Sequence, residues 1–313
     1  MPSVLVAINP VAAFGRHAGL GHEAVRRLEE AGHRVLALER PDFAALERAS
    51  RAALGGVDAL VVVGGDGMVN LAANVVAGTR VPFGIVPAGT GNDMARALGI
   101  PVDDPEAAIE TLLAALEREP LEVDAALIRH RDGERRFACS LAAGFDALVN
   151  ERANRMSRPR GPGRYVLALL IELARLRPIR YRIALDGEEL DTEALLVSIG
   201  NGVSLGGGMK VTPDAMLDDG MLDVMIVSPL SRLRFLRLFP RVFAGTHTAL
   251  PVVSIRRAAR IRIDAAGVTA YADGERIAPL PIEVQVEPGA LRVLAPQPRY
   301  EASIALAHGL SQP

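Results

Sequence analysis

Leu60-Val61-Val62-Val63-Gly64-Gly65-Asp66-Gly67-Met68-Val69-Asn70 joins a β-branched run to a glycine loop that carries one acid. A second junction of this kind is Val81-Pro82-Phe83-Gly84-Ile85-Val86, followed by Pro87-Ala88-Gly89-Thr90-Gly91-Asn92-Asp93. Glycine at the carboxyl end of a buried strand lets backbone N–H groups come close to an anion. A carboxylate between such glycines repels a phosphate unless a divalent cation sits between them. Asp66 in that position therefore points to a nucleotide bound together with Mg²⁺. One such loop is also compatible with an ordinary strand-to-helix turn. The pair argues for a site, because a helix cap needs one polar residue and here Thr90, Asn92 and Asp93 gather at a helix start.

Outward from these loops, strands alternate with helices. Residues 4–8 read as a strand ending at Asn9-Pro10, 20–31 as a helix stopped by Gly32, and 34–39 as a strand. Residues 43–54 read as a helix, 59–63 as a strand, 69–76 as a helix and 81–86 as a strand, with helices at 93–98 and 105–116. Strands joined by helices of this length form a parallel sheet covered on both faces. Ligands of such sheets bind outside the carboxyl ends of the strands, where both glycine loops and Asn9-Pro10 fall.

After about Glu122 short alternating strands take over: 123–129, 137–142, 181–185, 194–199, 222–227, 255–264, 269–272, 282–286 and 291–295. Turns such as Asp186-Gly187 and Asp273-Gly274 separate them, and helices are predicted near 166–176 and 232–243. The fold class is thus α/β, an amino-terminal parallel-sheet domain followed by a carboxyl-terminal antiparallel β-sandwich. The boundaries are read as 1–122 and 123–296, with the apolar tail 297–313 returning to the first domain.

Composition limits the function classes. The chain has 313 residues, half of them apolar, and a net charge of −2, so no polyelectrolyte partner is implied. There is no tryptophan and aromatic residues make up 4 %, too few for nucleic-acid stacking. Cys139 is the one cysteine, which excludes an intramolecular disulfide framework and a cysteine zinc site and suits a reducing cytoplasm. No basic segment precedes the first apolar run, so no secretory signal is expected. The apolar stretch 165–176 is too short to span a bilayer and contains Glu172 and Arg175. Lys210 is the one lysine and lies outside any G-x-x-x-x-G frame, so a Walker A loop is absent.

Two further segments carry acids. The run 206–223 opens on Gly206-Gly207-Gly208 and contains Asp218-Asp219-Gly220. Three glycines in a row weaken a strand and fit a place where a ligand or another backbone comes close. The two acids fit either a solvated turn or a hard oxygen-ligand metal site. Ala272-Asp273-Gly274-Glu275 is a hairpin turn by composition. Alongside Asp66 it also offers the second carboxylate that phosphoryl transfer requires, one acid holding Mg²⁺ and the other accepting the proton of an attacking hydroxyl.

In order and spacing these segments, together with Asn9-Pro10, Gly144-Phe145-Asp146 and Asn201-Gly202, resemble the bacterial diacylglycerol kinase-like lipid kinases, a family that includes sphingosine and ceramide kinases. The resemblance runs from Val4 to about Ala295. It implies ATP in a cleft between an α/β domain and a β-sandwich, and Mg²⁺ as the metal. It places Asn9, Pro10, Val11, Ala12 and Ala13 at the nucleotide, with Gly64, Gly65, Asp66, Gly67, Met68, Val69 and Asn70. Gly89, Thr90, Asn92 and Asp93 complete that set. It makes Glu275 the general base, gives Asp66 and Asp273 the catalytic Mg²⁺, and assigns a structural Mg²⁺ to the Asp219 carboxylate and the carbonyls of Met216 and Met221.

The chain departs from the family pattern at Ala12 and Ala13, where a Ser-Gly pair is frequent, at Met68 in place of threonine, and at Cys139 in place of asparagine. Each lost hydroxyl contact is expected to cost about 0.5–1.5 kcal/mol of nucleotide binding. Arg40, ending the second strand, is a candidate compensating contact. Between residues 151 and 260 there are 17 Arg or Lys against 11 Asp or Glu. Arg152, Arg155, Arg158, Arg160 and Arg164 precede an apolar helix, and Arg232, Arg234, Arg237 and Arg241 interleave with Leu233, Phe235, Leu236, Leu238 and Phe239. Such segments suit an anionic membrane surface or the solvated face of a packed helix. The leading expectation is a cytoplasmic, peripherally membrane-bound kinase that makes phosphatidic acid from diacylglycerol. Other lipid acceptors, a soluble acceptor as in NAD kinase, and a binding module without catalysis are the alternatives. Sandwich edges also allow a homodimer.

Overall fold

The computed structural model describes residues 2–9, 19–40, 42–156, 158 and 163–296. The expected contacts of Pro10, Val11, Ala12 and Ala13, the position of Arg160 and the returning tail 297–313 lie outside the described residues. Two compact units are present, Met1–Val123 with Gly289–Pro313, and Asp124–Pro288.

The first unit contains β1 (Ser3–Ile8), α1 (Leu20–Glu30), β2 (Arg34–Glu39), α2 (Phe43–Ala53), β3 (Ala59–Gly64), α3 (Asp66–Val76), β4 (Phe83–Pro87), α4 (Asp93–Ala97) and α5 (Pro105–Leu116). β1 pairs in parallel with β2 and β3, and β3 with β4, giving the order β2-β1-β3-β4. β1 and β3 are buried at every residue, as an apolar run with helices on both faces requires. Val4, Val6, Val61 and Val63 pack with Ala24, Leu28, Ile109 and Leu112 of α1 and α5. Each fully buried valine or leucine contributes about 1.5–3 kcal/mol. Asp42 and Asp104 cap α2 and α5 by accepting the N–H groups of Ala45 and Ala107.

The second unit contains β5 (Leu121–His130, entering from the first), β6 (Gly133–Phe137), β7 (Ser140–Gly144), α6 (Phe145–Arg155), α7 (Gly163–Ala174), β8 (Ile179–Leu185), β9 (Glu188–Ala194), β10 (Leu196–Gly200) and β11 (Leu222–Val227). It continues with α8 (Arg232–Leu238), α9 (Arg241–Ala244), β12 (Val253–Ala258), β13 (Arg260–Asp264), β14 (Thr269–Ala272), β15 (Glu275–Pro279) and β16 (Ile282–Leu294). One sheet has the order β12-β11-β10-β7-β14-β15 and is antiparallel throughout. The other runs β6-β5-β16-β13-β8-β9. Phe137, Tyr181, Ile183, Val197, Val224, Ile261 and Val284 from both sheets share one core, so this unit is a β-sandwich.

Several predicted elements differ. The single strand expected at 137–142 is β6 and β7, separated at Ala138-Cys139, whose amides are diverted to Asp273. The strand expected at 255–264 is β12 and β13, which lie in different sheets and part at Ala259. The strands expected at 282–286 and 291–295 are one strand, β16. Its residues Val293 and Leu294 pair in parallel with Phe83 and Gly84 of the first unit, so the second boundary falls at Gly289. The helix expected at 232–243 breaks at Phe239-Pro240 into α8 and α9.

Candidate functional site

In the first unit the carboxyl ends of β3 and β4 bring the two glycine loops into backbone contact. The Ala88 N–H donates to the Gly64 carbonyl at 2.9 Å. A Cβ placed on Gly89 would lie 2.3 Å from the Gly65 Cα, and one on Gly65 would lie 2.9 Å from the Gly89 Cα. These glycines are therefore required by each other. Asp66 stitches the loops together: Asn92 N–H donates to its Oδ2 at 2.9 Å and Asp93 N–H to its Oδ1 at 2.6 Å. Asn92, at φ +54°, closes the second loop on itself. Its Oδ1 accepts the Gly89 N–H and its Nδ2 donates to the Gly89 carbonyl, both at 3.0 Å. Asn9 reaches the same end of the sheet, its N–H donating to the Val63 carbonyl at 3.3 Å.

α3 begins at Asp66, three residues earlier than predicted. That shift turns Met68, Val69 and Asn70 inward, with exposures of 1 %, 2 % and 0 %. The Met68 side chain packs against the side of Gly64 where a Cβ would stand, 2.4 Å from its Cγ. All three side chains are buried. Gly65, Asp66, Gly67 and Gly89 stay part-exposed and Thr90 is exposed. Arg40 is exposed and its Nη1 donates to the Glu39 carbonyl beside it. Gly89→Ala should force the loops apart, lowering stability by about 1–3 kcal/mol and weakening nucleotide binding; thermal melts and calorimetric titration with ATP check both.

In the second unit Asp273-Gly274 is the two-residue turn between β14 and β15, with φ +47° and +82° and Ala272 opposite Glu275. Both central residues of a type I′ turn need positive φ, which is why Asp-Gly stands here. The Asp273 carboxylate accepts three amides, Cys139 and Ser140 N–H on Oδ1 at 3.0 Å each and Ala138 N–H on Oδ2 at 2.8 Å. Asn201 joins the same knot, its Nδ2 donating to the carbonyls of Asp124 and Ala138. Cys139 Sγ donates to the Ser204 carbonyl at 3.3 Å, so the residue replacing asparagine still bonds the backbone. Glu275 is exposed at its surface. Desolvation raises its carboxyl above the ordinary value, Arg135 opposes that rise and Asp273 adds to it.

At the triple glycine a Cβ on Gly206 would lie 3.1 Å from Met209 Cε. Gly206, Gly207 and Gly208 all have positive φ, and Leu205 N–H donates to the Met209 carbonyl at 2.9 Å to close the loop. A Cβ on Gly208 would meet nothing within 4 Å. Downstream, Asp219 Oδ1 accepts the Met221 N–H at 3.0 Å and its other oxygen pairs with Arg257. The Gly220 N–H donates to Asp124 Oδ2 at 2.7 Å. Burial pushes buried Asp223 up to about 6, with Asp219 and Asp214 reinforcing and Arg257 opposing. Arg257 pairs with both Asp219 and Asp223, so a hard cation at Asp219 would have to share that carboxylate with the guanidinium. Among the described residues no three metal-ligating side chains converge, so carbonyls such as those of Met216 and Met221 would have to complete the shell.

Asp66 and Asp273 differ as metal contacts. A carboxylate oxygen that accepts one amide can still bind a cation, and Asp66 is part-exposed. Both carboxylates have each oxygen on an amide, but Asp273 is 4 % exposed and accepts three amides against the two of Asp66, the geometry of an anchor for the turn that carries Glu275. The sequence marks Asp146 and Asp223 only within motifs of the resemblance, and Asp124 not at all. Asp146 accepts the Ala147 N–H and the Ser198 hydroxyl, and burial pushes its carboxyl up to about 6. A buried acid inside a glycine motif is the signal that would have marked it.

Comparison with known proteins assigns the family. The family model of the diacylglycerol kinase catalytic domain matches residues 3–126, and that of the YegS C-terminal NAD kinase beta sandwich-like domain matches residues 139–295. A diacylglycerol kinase of Mycobacterium tuberculosis (strain ATCC 25618 / H37Rv) is 41 % identical over 297 residues, covering 94 % of this chain and 95 % of that one. A diacylglycerol kinase of Bacillus subtilis (strain 168) is 30 % identical, covering 70 % and 71 %. Among solved structures, a diacylglycerol kinase from Bacillus anthracis str. Sterne superposes with a TM-score of 0.69 at 22 % identity, covering 94 % and 97 %. An NAD kinase from Archaeoglobus fulgidus in complex with ATP gives 0.54 at 15 % identity, covering 98 % and 100 %. Both share the fold. With a catalytic-domain match over its first unit and a 41 % identical relative along nearly its whole length, the chain belongs to the diacylglycerol kinase-like family of lipid kinases.

Proposed function

We propose that the protein transfers the γ-phosphate of ATP to the hydroxyl of diacylglycerol, giving phosphatidic acid and ADP. The observation that carries the nucleotide half is the meeting of the two glycine loops, where part-exposed glycine backbone at the start of α3 can take a phosphate without a lysine. The acceptor is argued from the relatives, which bear the name diacylglycerol kinase.

In this reading Asn9, Gly65, Gly67, Gly89 and Thr90 line the nucleotide. Glu275 takes the proton from the acceptor hydroxyl, the oxygen forms its bond to the γ-phosphorus, and the bond to the ADP oxygen breaks. Asp273 positions Glu275 through the turn. Asp66 is the side chain that would hold Mg²⁺ at the nucleotide, and Asp219 with the carbonyls of Met216 and Met221 would hold a structural one. The ion supplies neutralising charge to the phosphates when bound.

No described helix is long and apolar enough to cross a membrane. α8 and α9 nonetheless present exposed Leu233 (80 %), Leu236 and Phe243 among Arg232, Arg234, Arg237 and Arg241. We read this as a peripheral contact with an anionic bilayer, from which a water-insoluble acceptor is drawn. The test is purified protein with labelled ATP, Mg²⁺ and mixed micelles of diacylglycerol or a sphingoid base, with NAD as a soluble acceptor in a parallel tube. Labelled phosphatidic acid is the expected product. Labelled NADP with no labelled lipid would overturn the proposal.

A further inference from the structure

A cavity of about 640 Å³ opens in the second unit, a volume usual for small-molecule sites. Its floor is apolar. Phe145, Leu195 and Val268 line it and are buried, and half-buried Leu176 and Ile179 extend it. Its wall is cationic. Arg152, Arg175, Arg177 and Arg232 line it against one acid, Glu172. That acid is already taken, because its carboxylate pairs with Arg152. Among the described residues Arg175, Arg177 and Arg232 have no ion-pair partner, and all three are exposed.

The arrangement selects its ligand. A neutral diglyceride has no use for three uncompensated guanidinium groups at the mouth. A free inorganic anion has no use for a buried apolar floor. Arginine groups match a phosphate monoester through paired N–H donors, and a hydrocarbon chain matches the floor. We propose that this cavity binds an anionic lipid, with its phosphate head group on Arg175, Arg177 and Arg232 and the first part of an acyl chain on Phe145, Leu195 and Val268. Neither Glu275 nor Asp273 lines it. The inference deepens the functional reading only in this respect: the proposed product is itself such a lipid, so occupancy would hold the enzyme on membrane where product has accumulated.

The experiment is calorimetric titration of the full chain, without ATP or Mg²⁺, with dihexanoyl phosphatidate below its micelle concentration. Dihexanoyl phosphatidylcholine and inorganic phosphate are the comparators. Phosphatidate should bind at least about tenfold more tightly than either. Arg177→Gln and Arg232→Gln should each weaken it about tenfold, and because both residues are exposed, thermal melts should be unchanged. Equal binding by the double variant, by phosphatidylcholine or by inorganic phosphate would overturn the proposal. The titration contains no ATP, so its failure is distinct from a failure to phosphorylate diacylglycerol.

Discussion

Asp273→Ala should destabilise the second unit by about 4 kcal/mol, lowering its melting transition by on the order of 10 °C. The carboxylate accepts three amides, those of Ala138, Cys139 and Ser140, in a buried place. Removing it leaves those N–H groups without this acceptor and forces alanine to φ +47°, a conformation that aspartate tolerates better. Hydrogen bonds to a charged acceptor contribute about 1.5–3 kcal/mol each, and three that share one carboxylate add less than their sum. Asp273→Asn keeps one acceptor oxygen and the turn conformation, so about half the loss is expected. Melts with and without Mg²⁺ separate an anchor from a metal ligand. An anchor loses the same stability in both conditions. A transition within 2 °C of wild type for Asp273→Ala would reject the anchor.

What the sequence made legible is what local chemistry decides. β1 and β3 follow from unbroken apolar runs, and the Asp273-Gly274 turn follows from two residues that tolerate positive φ. What it hid is decided by distant partners. Nothing near Ala138 and Cys139 announces that β6 and β7 part there, because the carboxylate responsible lies 135 and 134 positions away. The break at Ala259 has the same origin, since Asp186 Oδ2 accepts its N–H from 73 positions away and Val286 N–H takes its carbonyl. β9, Glu188–Ala194, escaped notice because a strand at the rim of its sheet needs little apolar alternation.

The candidate site was legible in its residues and not in their work. Gly64, Gly65 and Gly89 were singled out as room for an anion. Gly65 and Gly89 touch one another, and the space beside Gly64 holds Met68. A carboxylate between glycines at a strand end points to a metal ligand at Asp66, and its oxygens also accept the N–H groups of Asn92 and Asp93 at the start of α4. The Gly65–Gly89 contact and the Asp66 bonds pair segments over twenty residues apart, which spacing along the chain does not encode, and the Gly64–Met68 contact depends on where α3 begins.

Glu275→Gln should lower kcat by about 10²–10⁴-fold while leaving ATP affinity within about twofold. The amide keeps the size of the side chain and cannot take a proton from the acceptor. Because Glu275 is exposed and first in β15, its replacement should leave the melting transition unmoved, unlike that of Asp273. The pH profile gives a second readout. A base acts in its ionised form, and desolvation, with Asp273 adding, raises the Glu275 carboxyl above its ordinary 4.5. The acid limb of kcat should therefore lie above that value in wild type and be absent from the residual rate of Glu275→Gln. Arg135 favours the ionised form, so Arg135→Gln should move the limb further to alkaline pH while preserving the plateau rate. A limb that stays in place in both variants, or a Glu275→Gln rate within threefold of wild type, would remove this residue from the proton transfer. Lost ATP binding in Glu275→Gln would instead make it a nucleotide contact.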